Sequence, residues 1–345
     1  MKWFDLHCDT LTACEEQGLS MRSNTRTQLD FLRLREAGAS AQCFAVFLDR
    51  EACEQRGVSP WRRYEQLRDF FFTALKKNED VVRPVRTAGE LADAERDGAV
   101  GAILTVEGGE LLGCGADDEN GELPEGGAGD ENGELPGGGT SAQNSECPDV
   151  LHARLLRMWE DGVRLLTLTW NYENCLGYPN GSGGGLKKAG YEAVACMQEL
   201  GMVVDVSHLS DRGFWDVMAA AKKPVTASHS CARSLCGHQR NLTDEQLRAI
   251  GKNGGIVGLN FHAPFLKENG VSGSVEEAAY HLRHIISCAG SEAAALGSDY
   301  DGMQGAPEWG GCEGMPRLIE ALFSYFDADT MEKICYRNAA RLLQI

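Results

Sequence analysis

Eight apolar, β-rich runs recur along the chain at intervals that leave room for a helix between each pair, and this rhythm constrains the fold more than any other feature. They are residues 3–8, "AQCFAVFL" at 41–48, "AVGAILTVEG" at 99–108, "VRLLTLTW" at 163–170, "MVVDVSH" at 202–208, "PVTASHS" at 224–230, "GIVGLNF" at 255–261 and "AAALGSDYD" at 293–301. Segments of helical period lie between them at 60–77, 185–201 and 274–290, and the chain closes on another at 329–345. Near-continuous apolar strands alternating with amphipathic helices predict a parallel sheet covered by helices. Eight such units predict an α/β fold, a (β/α)8 TIM barrel that fills residues 1–345 as one domain. An open doubly wound sheet is the alternative, but no GxGxxG or GxxxxGK[ST] opens a helix after the first strand.

One stretch breaks the rhythm. Residues 113–149 carry "DENGELP" twice, at 118–124 and 130–136, amid many Gly and acidic residues and without Lys or Arg. Such a composition cannot form a core, so the segment reads as a flexible, duplicated, acidic insertion after the third run. A calcium loop is the tempting alternative, and its spacing does not match an EF-hand.

A formal net charge of −18 excludes nucleic acid and anionic membrane surfaces as partners, since both need clustered Lys and Arg. Small molecules are left as the expected partners, and a homodimer is an assembly the sequence leaves open. No run approaches the roughly 18 apolar residues of a spanning helix, and the opening "MKWFDLHCDT" does not read as a secretory signal. Thirteen cysteines, an odd number without CxxC or zinc-finger spacing, suit reduced thiols in a cytoplasm better than a disulfide framework.

The polar residues that interrupt the apolar runs stand at their carboxyl ends, which in a (β/α)8 barrel form one rim. In "DLHCDT" the two-residue spacing of His7 and Asp9 projects imidazole and carboxylate to one side of a strand, with Cys8 pointing into the core. The third run ends in Glu107, the fifth in His208, the sixth in His229 and the eighth in Asp299. Each alone has a plain explanation as a cap or turn residue. Six such groups on one rim favour a metal site. His152, His281 and His284 fall in helical segments read as solvated, His238 in a loop, and His262 just after the seventh run.

Imidazole and carboxylate ligands suit zinc, and the set His7, Asp9, Glu107, His208 and His229 exceeds what one catalytic zinc uses while keeping a position open. Two zinc ions per chain are therefore expected, roughly 3.5–4 Å apart, with Glu107 bridging them. Two dications bring about +4, against about −3 from Asp9, Glu107 and a bound hydroxide, so the rim can activate water near neutral pH and polarise a carbonyl.

Taken together, "DLHCDT", "LTVEGG", "RLLTLTWN", "DVSHLSD", "TASHS", "QRNLTDEQL" and "GSDYDG", in this order, resemble the membrane (renal) dipeptidase family of metallopeptidases, bacterial members included. The resemblance covers nearly the whole chain outside the insertion. It implies a barrel of the metallo-dependent hydrolase type whose two zinc ions and bridging hydroxide cleave dipeptides bearing a free C-terminal carboxylate. By motif, His7 and Asp9 would ligate one zinc, Glu107 would bridge, and His208 and His229 would ligate the other. Asp299 matches the family's proton-shuttling aspartate, and Arg240 its binder of the substrate carboxylate.

Two departures accompany the resemblance. Trp170 stands where mammalian members carry a histidine that steadies the tetrahedral intermediate, so that role does not carry over; Asn171 beside it reads as a turn residue or as an alternative donor. The signal and lipid-anchor sequences of mammalian members are also absent, so no membrane location carries over. The competing readings are an amidohydrolase-type barrel acting on a cyclic amide or nucleobase, and a barrel that binds metal or ligand without catalysis. The first usually opens with His-x-His and bridges its metals through a modified Lys, and the second has no need of Asp299.

Overall fold

The structure, a computed structural model, describes residues 1–113 and 148–345. The insertion read at 113–149 thus lies almost wholly outside the described residues. Nine strands run parallel: β1 (Trp3–Asp5), β2 (Ala39–Phe47), β3 (Val82–Pro84), β4 (Val100–Glu107), β5 (Val163–Thr167), β6 (Val203–Asp205), β7 (Thr226–Ser230), β8 (Ile256–Leu259) and β9 (Ala294–Leu296). Their order is β2-β1-β9-β8-β7-β6-β5-β4-β3. A further pairing of β2 with β4, from Ala41↔Gly101 to Phe47↔Glu107, closes eight of them into the expected barrel.

β3 is the strand that the sequence reading did not anticipate. It pairs with the start of β4, along the edge that β5 takes up from Leu104 onward. Three residues ending in proline carry too short a pattern to separate from loop. Several strands are also shorter than their apolar runs. β1 stops at Asp5, so His7 and Asp9 are not neighbours on a regular strand; Cys8 makes a lone bridge to Tyr300, and Asp9 begins the turn into the helix Thr10–Gln17. His208 likewise stands three residues beyond β6, and Asp299 three beyond β9.

Successive strand residues point to opposite faces, and the apolar ones divide accordingly between two buried clusters. Phe4, Leu6, Cys43, Ile103, Leu165, Val203, Ile256 and Ala295 pack together inside the barrel with Leu342, Leu343 and Ile345 from the C-terminal segment. Their neighbours Leu166, Val204, Val257 and Leu296 join the larger layer beneath the helices. The helices start where local chemistry allows. Ser59 caps the helix Pro60–Lys76, whose proline occupies the first turn where no N–H is needed. Thr243 and Ser274 each form a capping box, with Gln246 and Glu277. The closing segment is helical over Ala328–Glu332 and Asn338–Leu343 with a single π turn between, and Asn338 Nδ2 donates to Ser291 O and Ala294 O, both at 2.8 Å.

His281, read as solvated, is buried: its Nδ1 accepts from Ala232 N at 3.0 Å and its Nε2 faces Leu266 O at 2.9 Å. One turn on a helix separates it from the more open His284, too fine a difference for a noisy period to resolve. Among the described residues no helix is long and apolar enough to cross a membrane.

Below the rim three backbones meet closely. A Cβ on Gly258 or on Gly297 would lie 1.9 Å from the carbonyl oxygen of Ser228, the residue that precedes His229. Gly258→Ala should therefore destabilise the protein by about 2 kcal/mol or more, as overpacking does. Gly183→Ala, which meets nothing within 4 Å, should stay within about 0.5 kcal/mol of the parent. Denaturant midpoints compare the two; equal midpoints would remove the close-approach argument.

Candidate metal centre

The predicted ligands reach the rim from the ends of four strands, His7 and Asp9 both after β1, and the others gather around Glu107. As the last residue of β4, Glu107 is 3% exposed and sends its two carboxylate oxygens to different sides. Oε1 lies 2.9 Å from His208 Nε2 and 3.2 Å from His229 Nε2. Oε2 lies 3.5 Å from His7 Nε2, which is itself 3.4 Å from Asp9 Oδ2. His7, Asp9 and Glu107 thus form one cluster of ligand atoms within 4.8 Å of each other, and Glu107, His208 and His229 form a second. Asp299 makes a third grouping with His7 and His229, its Oδ1 3.9 Å from His7 Nε2. The five expected ligands and Asp299 are therefore brought together, with Glu107 shared between the two halves.

The donor set fits a cation. Ser228 Oγ donates to Asp205 Oδ2 at 2.5 Å, so its contact with His229 Nδ1 at 2.8 Å needs the proton on the imidazole. His208 Nδ1 faces the amide oxygen of Asn171 at 3.0 Å and must also donate. Both Nε2 atoms are left as lone pairs, 3.0 Å apart and both against Glu107 Oε1. Three acceptors facing one another repel unless a positive charge sits among them. In the other half, His7 Nε2 and Asp9 Oδ1 are buried with no hydrogen-bond partner.

The electrostatics agree with this reading. Burial, with Arg240 nearby, pushes His208 down to about 4, and burial, His7 and Arg240 hold His229 well below the imidazole range, so both imidazoles are neutral at pH 7. For His7, burial also opposes the charged form, but the Glu107 and Asp9 carboxylates outweigh it and hold its pKa well above the usual value. That site holds a proton in the place where it would hold an ion. Burial raises Asp9 to about 6 and Asp299 to about 7, in both cases against the pull of His7.

Several residues that the sequence reading passed over support the ligands. Asp205, fully buried in β6, accepts from Thr167 Oγ1 at 2.6 Å and from Ser207 N and Ser228 N at 3.0 and 2.9 Å, stitching β5 to β7 below the two histidines. Asn260 Nδ2 donates to Asp299 Oδ2 at 2.9 Å. Asn171 does more than turn the chain, because its side-chain oxygen faces His208 Nδ1 at 3.0 Å. An acid within the otherwise apolar "VVD" was the one available signal for Asp205. Gly302 is packed so tightly that a Cβ would fall 2.0 Å from Asp9 Oδ2 and 2.5 Å from Asp299 Oδ1.

The rim opens into a cavity of about 620 Å³ lined by Asp9, Glu107, His208 and Asp299 and walled by Phe47 and Trp170. Trp170 stacks edge-on with Phe47, ring centres 4.8 Å apart. Arg240 lies in the same lining, 5% exposed, with His238, His262 and Phe265 around it.

The family model described as "Membrane dipeptidase (Peptidase family M19)" matches residues 1–118 and 148–345, leaving out most of the insertion. Dipeptidase AclJ of Aspergillus oryzae is 28% identical over 339 residues, which cover 92% of this chain and 69% of that protein. Among solved structures, the M19 metallopeptidase called dipeptidase AC superposes with a TM-score of 0.83 at 25% identity, over 100% of this chain and 98% of its own. A metallopeptidase from Rhodobacter sphaeroides, solved with a phosphinate mimic of the dipeptide L-Ala-D-Ala, superposes with a TM-score of 0.82 at 25% identity, over 100% and 99%.

If Ser228 and Asn171 set the tautomers of His229 and His208, Ser228→Ala and Asn171→Ala should each weaken metal binding by about 10–100-fold, the usual cost of losing a ligand's outer hydrogen bond. Competition with a chelator of known affinity measures this. Unchanged affinity in both variants would mean that the imidazoles are held by packing alone.

Proposed function

The chain belongs to the membrane dipeptidase family, peptidase family M19, and is a metallo-dipeptidase; on that premise we propose that two zinc ions on the rim serve the hydrolysis of dipeptides whose C-terminal carboxylate is free. The observation that carries this reading is a buried guanidinium in the cavity that also holds the ligand cluster. Arg240 Nη1 donates to Ser230 Oγ at 3.0 Å and Nη2 to His229 O at 3.2 Å, while its Nε–H is buried without a partner. No carboxylate pairs with it among the described residues. Asp299, Glu107 and Asp205 attract this buried cation from a distance, but none touches it, and a substrate carboxylate can pair with it through charge-assisted hydrogen bonds.

When bound, the two ions would lower the pKa of a water and polarise the scissile carbonyl. The chain's own residues supply the remaining work. Arg240, already oriented by Ser230 and the His229 carbonyl, anchors the substrate's carboxylate and so fixes where its peptide bond falls over the ligand cluster. Asp299, steadied by Asn260, takes a proton from the attacking water and delivers it to the leaving nitrogen, which cannot depart as an anion. Phe47 and Trp170 narrow the cavity and limit bulk water around the reacting carbonyl. The phosphinate dipeptide mimic held by the Rhodobacter sphaeroides relative supports L-Ala-D-Ala as the first substrate to try. The location proposed with this activity is the cytoplasm, which suits thirteen cysteines without a framework spacing.

Purified protein should hold about two zinc ions per chain, and strong chelation should abolish hydrolysis of L-Ala-D-Ala. Elemental analysis that finds at most one ion in fully active protein would overturn the binuclear reading. Arg240→Ala should weaken use of free dipeptides by about 1.5–3 kcal/mol in KM, the scale of a charge-assisted hydrogen bond, and should barely affect the already poor dipeptide amides. An equal loss on acids and amides would make Arg240 part of the scaffold only. Asp299→Asn keeps size and hydrogen bonding but cannot carry the proton, so kcat should fall by roughly 10²–10⁴ with zinc content and thermal stability near those of the parent. Loss of zinc in that variant would instead place Asp299 among the ligands.

A further inference from the structure

A second group of metal-competent side chains lies away from the rim, where two outer helices meet. His284 and Cys288 stand four residues apart on the helix Val275–Ala289, hence on one face, and Asp244 opens the facing helix Asp244–Asn253. His284 Nε2 lies 2.8 Å from Asp244 Oδ1 and 3.6 Å from Cys288 Sγ, and all three ligand atoms fall within 4.8 Å of one another. Zinc bonds of about 2.0 Å to nitrogen and oxygen and 2.3 Å to sulfur place tetrahedral ligands roughly 3.3–3.8 Å apart. Small side-chain rotations bring this trio to that spacing. The groups are half-buried, with His284 and Asp244 side chains 23% and 27% exposed, so an ion has a path in and a fourth position open to water.

We propose that Asp244, His284 and Cys288 form a thiolate-containing site for a zinc-like divalent cation, separate from the rim. Sulfur with imidazole selects borderline-soft ions such as zinc or cobalt over calcium or magnesium. On binding, the Cys288 thiol gives up its proton to solvent, and the proton of His284 moves to Nδ1 so that Nε2 can ligate. Arg248 Nη2 lies 3.6 Å from Asp244 Oδ2; its side chain is 56% exposed and can swing into water. The ion would pin the helix Asp244–Asn253 to the helix Val275–Ala289 on the outside of the barrel.

Cobalt distinguishes this site from the rim, because the rim cluster contains no sulfur ligand. The full chain, with its metal removed by a strong chelator, is titrated with Co2+ and followed by near-ultraviolet absorption. A sulfur-to-cobalt charge-transfer band should appear, release about one proton per ion bound, and be lost in Cys288→Ser and in His284→Asn. Hydrolysis of L-Ala-D-Ala should continue at the parental rate in both variants. The proposal is overturned if the parent shows no such band, or if the band survives Cys288→Ser. Both substitutions lie on a partly exposed helix face, and the unchanged hydrolysis reports that each variant is folded.

Discussion

The pairing of β2 with β4 is the constraint on which the rest of the structure depends. Seven residue pairs run in register from Ala41↔Gly101 to Phe47↔Glu107, turning an open sheet into a barrel. That ladder ends on Glu107, so the strand pairing that closes the fold also sets the height of the shared carboxylate. The three histidines are positioned relative to it, their Nε2 atoms within 2.9–3.5 Å of its oxygens. A slip of one residue in this register would turn Glu107 to the other face of β4 and leave three histidines without their common neighbour.

Beneath the ligands the barrel carries polar groups that an apolar core would not need. Asp5 accepts from Ser298 N and Ser298 Oγ at 2.7 and 2.6 Å and from Gln42 Nε2 at 2.7 Å, joining β1, β2 and the segment after β9. Asp205 does the same for β5, β6 and β7. Each buried carboxylate is satisfied by several donors, the condition under which burial of such a group is tolerated. One consequence is stiffness. The tautomer of His229 is set through Ser228 by Asp205, so the rim inherits its geometry from hydrogen bonds between strands.

Backbone strain is gathered at the same place. Five non-glycine residues have positive φ among the described residues, and three of them are His208, Asp299 and Asp301, with φ of 64°, 64° and 68°. Side chains rarely adopt this conformation, and each instance costs of order 1 kcal/mol or more unless the surroundings impose it. Here the surroundings do. Asn180 N donates to His208 O at 2.6 Å, Asp299 N donates to His7 O at 3.2 Å, and Asp301 accepts from Gln28 N at 2.7 Å and from Thr10 Oγ1. The strained turns aim imidazole and carboxylate into the cavity where a regular strand end would have pointed them elsewhere.

The sequence by itself determined the fold class and which polar residues gather on the rim. Apolar period is a local property, so eight runs and the helices between them announced a barrel, and the carboxyl ends of those runs named His7, Asp9, Glu107, His208, His229 and Asp299 as rim residues. The short β3 was lost because three residues hold no period, and His281 was misplaced because His281 and His284, about 60° apart around one helix, straddle the edge of its buried face. What only the tertiary structure decided is which atoms meet. Asp205 reaches Ser228 across 23 residues and Asn260 reaches Asp299 across 39. Nothing local marks such pairs, because a hydrogen bond between strands exists only once register and barrel closure bring the two chains side by side.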